Sequence, residues 1–375
     1  MINDFIDVYK NRHDYAKDWK KKNPDSKVVG YMCSYFPEEL FYAAGMLPVR
    51  ILGSHEPQNV TEPYIFGMYC PFSRDVLAQG LQGHYDYLDA VSTAYPCMHL
   101  GQAFDSWTLH VTQKKFYVDM PNRVQTPYAV PFLTGRLEET KQEIEEWIGR
   151  EITDSDLKEA INVYNENRAL LREIYEMRKA DDVPLTGTEC MYITTASLFM
   201  DKKDANKLLK ETIENELKGR KAKTADDTRL MVLGSENDDI KFLNMVEEFS
   251  AVIVTDDHCT GSRYFWNPVE EQDDPIQAIA QRYIDRPLCP QRDYPERKRL
   301  PYLLDMARDW NVAGIIALQQ KFCDPHELDK VALLDWFKEN DIPTIYLELD
   351  VTVPIGQFKI RVEALLERLR EDELW

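Results

Sequence analysis

Neither a GxxxxGK[ST] loop nor a GxGxxG turn occurs in this chain of 375 residues, so a nucleotide cradled by a glycine-rich loop is not expected. HExxH, GxSxG and CxxC are also missing, which leaves a zinc hydrolase, a serine hydrolase, a zinc ribbon and a dithiol redox motif without support. No run of about 18 uncharged apolar residues is present, so no transmembrane helix is expected. The opening stretch MINDFIDVYKNRHDYAKDWKKK carries acids on an amphipathic pattern instead of the apolar core of a signal peptide. The expected location is therefore the cytoplasm. Positive charge is scarce, with 45 Lys+Arg against 65 Asp+Glu and a net charge of -20. Such a balance argues against nucleic acid as a partner, because phosphate binding needs a basic footprint. A local basic groove for a small anion stays open. The seven cysteines are odd in number and scattered. A reducing compartment keeps them as thiols, so each is either a small buried hydrophobe or chemistry.

The length is too great for one compact core and predicts two or three domains. After an amphipathic helix to about residue 26, VVGYMC (28–33) reads as a strand. Pro37-Glu38-Glu39-Leu40 opens a helix that stops at Gly45, and LPVRILG (47–53) is a second strand. SRDVLAQGLQG after Cys70 is helical, and LDAVSTA (88–94) and KFYVDMP (115–121) are further strands. Alternating strands and helices predict a mainly parallel sheet covered on both faces. Residues 136–226 change to charge-rich helical pattern, with a helix start at Asp154-Ser155-Asp156. A second alternating region follows, with strands at 229–235, 250–257, 312–320 and 342–350. The expected architecture is thus α/β: two Rossmann-like or flavodoxin-like domains, at 1–135 and 227–375, around a helical segment at 136–226.

Chemistry-bearing residues gather at one kind of place. Cys70 precedes the helix SRDVLAQG, Cys97 follows the strand LDAVSTA, and Cys323 follows the strand VAGIIALQQ. Ligands collect at the carboxyl edge of open α/β sheets, and helix N-termini favour thiolates. Three thiolates converging from strand ends can hold one soft metal centre; the alternative is buried thiols at loop ends. Cys259 and Cys289 occupy similar turn-like contexts. Among other candidates, Ser34 and Glu39 flank the first helix start, where a carboxylate serves as acid, base or helix cap. His99, two residues after Cys97, is a candidate proton donor or a structural hydrogen-bonder. Ser73 and Arg74 follow Cys70, and a donor there would tune a bound cluster. His326 suits orientation of the Cys323 loop. Gln319, Gln320, Lys321, Glu348 and Asp350 share the presumed edge.

GYMCSYFPEELFYAAGMLPVRILG (30–53) resembles the opening motif of the 2-hydroxyacyl-CoA dehydratase / benzoyl-CoA reductase family. So do YCPFSRDVLAQGLQGHYDYLDAVSTAYPC (69–97), YVDMPN (117–122), DDHCTGSRYF (256–265) and LQQKFCDPHELDKVALLDWF…IPTIYLELD (318–350), in the expected order over most of the chain. The first motif looks most like the smaller substrate-processing subunit of benzoyl-CoA reductases. The resemblance implies a related sister subunit in a heterodimer or larger assembly, an acyl-CoA substrate, and a separate iron–sulfur activator that hydrolyses ATP. It also implies one 4Fe–4S cluster on Cys70, Cys97 and Cys323, with low-potential electrons passed to the thioester. A 2-hydroxyacyl-CoA dehydratase β-type subunit is the alternative within the family. A non-catalytic electron relay or assembly partner is the alternative of another class, and a cluster-free α/β binding protein a further one. Double-cubane relatives carry a fuller set of cysteines, whereas the strand end here reads Ser235-Glu236-Asn237. A single cubane is expected on that ground.

Overall fold

The computed structural model describes residues 1–95, 97–112 and 114–372. Pro96, within the Cys97 motif, lies outside the described residues. Two four-stranded sheets form the frame. The first contains β1 (Val28–Tyr31), β2 (Leu47–Arg50), β3 (Ala90–Ala94) and β4 (Lys115–Val118), in the order β2-β1-β3-β4. The second contains β5 (Thr228–Gly234), β6 (Ala251–Asp257), β7 (Gly314–Gln320) and β8 (Thr344–Leu349), in the equivalent order β6-β5-β7-β8. Every strand pair is parallel, so the expected α/β class and parallel sheets are present. Central strands such as β3, β5 and β7 are buried along nearly their whole length, as helix-covered strands must be, with polar residues in β3, at the start of β5 and at the carboxyl end of β7. At the edge, β4 alternates exposed and buried residues.

In both sheets the chain order reverses between the first and third strands. Adjacent crossovers there leave in opposite directions and open a crevice at the strand ends, the usual ligand position in such sheets. Strands end earlier than the sequence pattern predicts: β1 stops at Tyr31 and β2 at Arg50. The apolar residues that follow, such as Met32, Ile51 and Leu52, are buried in the loops above the sheet. Apolar runs mark burial, not the end of strand pairing.

Long helices connect the sheets: Ala129–Ile148, Asp154–Met177, Gly187–Ser197 and Lys202–Thr212. The helix starting at Asp154 is capped as expected, by a capping box that Thr153 forms with Asp156 of the Asp154-Ser155-Asp156 start. The Thr153 hydroxyl accepts from the Asp156 N–H, and the Asp156 carboxylate accepts from the Thr153 N–H. The leading amphipathic segment is two helices, Ile2–Lys10 and Arg12–Lys22, broken at Asn11. Among the described residues no helix is long and apolar enough to cross a membrane.

Candidate functional site

Six of the seven cysteines line one cavity of about 80 Å³ between the carboxyl edges of the two sheets. Cys33 lies two residues past β1 and Cys97 three past β3; Cys259 lies two past β6 and Cys323 three past β7. Cys70 heads the helix Pro71–Leu81, and Cys289 heads the short 3-10 turn Pro290–Arg292. Proline follows both, and its missing N–H suits a first helical turn. The seventh, Cys190, is buried in the helix Gly187–Ser197 and lies apart from the cavity, with its sulfur taking Arg178 at 3.1 Å.

The six thiols differ in setting. A second, open cleft of about 710 Å³ is lined by Tyr69, Met98, Phe322 and Asp324, with His99 and Phe66. Those first four residues are the chain neighbours of Cys70, Cys97 and Cys323. The expected trio therefore borders the outer cleft, while no neighbour of Cys33, Cys259 or Cys289 lines it. His99 fastens the trio's loops together. Its Nδ1 accepts from the Cys70 N–H at 3.1 Å, and its Nε2 meets Asp324 at 3.2 Å. Burial lowers the His99 pKa, with Asp324 opposing, so a neutral ring with hydrogen on Nε2 satisfies both contacts. Ser73 donates to the Cys70 carbonyl at 2.7 Å. Arg74 holds Asp350 at 2.6 Å, tying the Cys70 helix to the end of β8.

The other candidates separate. Ser34 is buried beside Cys33, and its hydroxyl accepts from Arg286 at 3.2 Å. Glu39 does not line the cavity: its fully buried carboxylate accepts from Arg168 and, at 3.0 Å, from the Tyr283 hydroxyl. Gln320 and His326 line the cavity; Lys321 and Glu348 line the outer cleft.

Four arginines that the motifs do not single out surround the thiols. Arg50 and Arg292 line the cavity. Arg263, with Arg50 and Arg286, pulls the Cys259 thiol below its ordinary pKa although burial pushes it up. All four are 1–2% exposed. Among the described residues each keeps a buried N–H without a hydrogen-bond partner: Nε in all four, with Nη1 in Arg50 and Arg263, although Arg263 Nε lies 3.6 Å from Asp257. Among the described residues Arg50, Arg286 and Arg292 form no ion pair. Buried cations left unpaired are costly, so these side chains suit an anionic occupant. Their signal in the sequence is faint, an arginine near each strand end or cysteine turn.

Among the described residues no three His, Cys, Asp or Glu side chains are grouped to hold a single metal ion. A four-iron cluster takes its thiolates on separate irons, which spaces them more widely than ligands of one ion. Burial pushes the Cys70, Cys97 and Cys323 thiols up. Coordination would have to remove those protons. The donor set, six sulfurs with buried guanidinium groups around them, of which Arg263 alone is ion-paired among the described residues, fits an iron–sulfur cluster.

Two doubly wound parallel sheets sharing a cysteine-lined crevice define the class: an α/β protein with a soft-ligand site at the switch points. The 2-hydroxyglutaryl-CoA dehydratase, D-component, family model matches residues 33–369, and the chain belongs to that family. It is 28% identical to the (R)-phenyllactyl-CoA dehydratase beta subunit of Clostridium sporogenes, covering 98% of each chain. It is also 28% identical to one of the subunits of benzoyl-CoA reductase from Thauera aromatica, covering 88% of this chain and 87% of the relative. The beta subunit of (R)-2-hydroxyglutaryl-CoA dehydratase from Acidaminococcus fermentans is 26% identical, over 93% and 94%. The family expected from the motifs is the one found, and these relatives are subunits of acyl-CoA dehydratases and reductases. Identity does not separate the two reactions, being 28% to one of each.

Proposed function

We propose that this chain is the iron–sulfur subunit of an acyl-CoA enzyme, a benzoyl-CoA reductase-like or 2-hydroxyacyl-CoA dehydratase β-type subunit. It works with a sister subunit and an ATP-hydrolysing activator. The observation that carries this reading is the convergence of cysteines from both sheets on one buried cavity. Cys70, Cys97 and Cys323 hold a 4Fe–4S cluster, supported by their shared border with the outer cleft. When bound, the cluster supplies low-potential electrons and an iron with an open position.

The chain's own residues do the rest. Arg50, Arg263, Arg286 and Arg292 offset the negative charge of the thiolates in a low-dielectric site. His99 keeps the Cys70 and Cys323 loops in register, and Ser73 fixes the turn at Cys70. Phe66, Met68 and Met98, 79%, 76% and 69% exposed, give the outer cleft an apolar rim suited to an acyl chain and to water exclusion by the sister subunit.

Cys33, Cys259 and Cys289 favour a second reading of the cofactor. They line the same cavity, so the site has sulfur for two cubanes, and the single-cubane expectation rested on a strand end without cysteine.

Anaerobic assembly with the sister subunit and activator tests the function. Electron transfer from the activator, with reduction of benzoyl-CoA or dehydration of a 2-hydroxyacyl-CoA, supports it. Neither reaction, in an assembly that holds iron and accepts electrons, would favour the relay or assembly role instead.

A further inference from the structure

Charge in the outer cleft is mostly of one sign. Where the cleft borders the cysteine loops its wall is apolar, formed by Tyr69, Met98 and Phe322. Three acids and one lysine stand beside that wall. Asp324 and Glu327 lie three apart in the first turn of the helix Asp324–Glu339, so they share a face. Glu348 comes from β8, where Leu347 and Leu349 are buried, and alternation along the strand sends Glu348 to the other side, toward the cleft. Lys321, just past β7, is the single lysine or arginine among the described residues of the lining.

Two of the acids serve the fold. Asp324 meets His99 Nε2 at 3.2 Å, and Glu327 accepts from the Tyr346 hydroxyl at 3.4 Å. Both also suit the positive end of their helix. Glu348 is exposed and, among the described residues, has neither a hydrogen-bond partner nor an ion pair. Lys321 does not offset it. Its ammonium lies over the Phe322 ring, 5.3 Å from the centroid, and pairs with no carboxylate among the described residues. Two residues past Glu348, Asp350 is by contrast held by Arg74 at 2.6 Å. A strand-end acid that caps nothing and pairs with nothing acts on whatever enters the cleft.

An uncharged acyl group gains from leaving water against Tyr69, Met98 and Phe322. A chain that ends in a carboxylate gives up hydration there and meets like charge from Glu348 and Glu327. Repelling the wrong ligand is one of the two ways in which a site discriminates. Resting on the reading of this cleft as the acyl site of an acyl-CoA enzyme, we infer that Glu348, seconded by Glu327, is a specificity-determining residue. The cleft takes acyl groups without charge and turns away those that end in a carboxylate.

The test uses the full chain, assembled anaerobically with its sister subunit and activator, and two pairs of thioesters. One pair is benzoyl-CoA with 4-carboxybenzoyl-CoA, the other 2-hydroxypentanoyl-CoA with 2-hydroxyglutaryl-CoA; within each pair the second member adds a terminal carboxylate. The readout is the ratio of kcat/KM within the pair that is turned over, which loss of iron or of stability lowers for both members alike. Wild type should favour the uncharged member by about 10-fold or more. Glu348→Gln should narrow the ratio about 10-fold, Glu348→Lys should narrow it further, and Glu327→Gln should narrow it less. Glu348→Asp, which keeps the charge, should keep the preference. Glu138→Lys changes an exposed acid on the helix Ala129–Ile148 that does not line the cleft, controls for net charge, and should leave the ratio unchanged. Equal or greater use of the charged member by wild type would overturn the proposal. So would a ratio unmoved in both Glu348→Gln and Glu348→Lys, or an equal shift in Glu138→Lys. An iron-replete assembly that accepts electrons and turns over neither pair would instead overturn the acyl-CoA reading, and the proposal with it.

Discussion

Replacing Glu39 by glutamine separates chemistry from architecture in the first motif. The carboxylate is 0% exposed and its partner Arg168 is 4% exposed. Among the described residues Arg168 forms no other ion pair, and its remaining side-chain bond goes to Asn165 at 3.1 Å. Glutamine keeps an acceptor for Tyr283 but leaves the guanidinium as an unpaired buried charge. Removing one member of a buried pair costs about 3–5 kcal/mol. Urea unfolding followed by circular dichroism would read this as a lower midpoint at unchanged slope. Arg168→Met in the Glu39→Gln background should recover much of the loss, since the stranded charge is then gone. Acid adds an independent check. Burial pushes the Glu39 carboxyl up, but Arg168 and then Arg282 outweigh it and hold the group below its ordinary value. Its stabilisation is therefore present above the unfolded pKa, about 4.3, and is lost as pH falls through the lower folded value. Glu39→Gln should lack that part of the acid sensitivity. A change within about 0.5 kcal/mol, the range of an ordinary surface substitution, would refute the reasoning and return Glu39 to the catalytic candidates.

Arg299, 1% exposed, bonds Asp257 at 2.6 Å and Asp329 at 2.7 Å, joining the end of β6 to the helix headed by Cys323. Arg299→Leu should cost about 3 kcal/mol, the low end for a broken buried pair because Arg263 and Arg297 still face the acids; an unchanged unfolding midpoint would contradict this. Burial disfavours the His55 cation, but Asp238 at 2.6 Å lifts its pKa to about 10. Its contribution is full below the unfolded value of about 6.5 and is lost as pH rises through about 10. Unfolding midpoints of wild type and His55→Gln should therefore converge on alkalinisation, and parallel curves would count against the pairing.

Much of this was legible in the sequence. Alternating apolar runs and helical pattern locate all eight strands, and three motif cysteines do lie at helix heads beside an open cleft. What stayed hidden depends on long-range convergence. Cys33 and Cys289 are far apart in sequence, and only the facing of the two sheets puts them on one cavity. Arg263 and Arg286 carry only a faint signal in the sequence, because a buried cation leaves no pattern until its surroundings are known. Glu39 sits in the most suggestive motif, yet the helix Asp154–Met177 supplies Arg168 and turns the carboxylate toward the interior. The helix Met98–His110 was missed because small and polar residues interrupt its apolar face.

The central claim, that Cys70, Cys97 and Cys323 hold an iron–sulfur cluster, is tested most directly by iron and acid-labile sulfide in anaerobically purified protein. Serine variants of each cysteine should be compared with Cys190→Ser. About four irons and four sulfides per chain are predicted, with a paramagnetic signal on reduction, lost in each of the three variants and kept in Cys190→Ser. About eight irons, lost also from Cys33, Cys259 and Cys289 variants, would replace the single cubane with the larger cluster. Iron-free protein, prepared and handled without oxygen, would contradict the account.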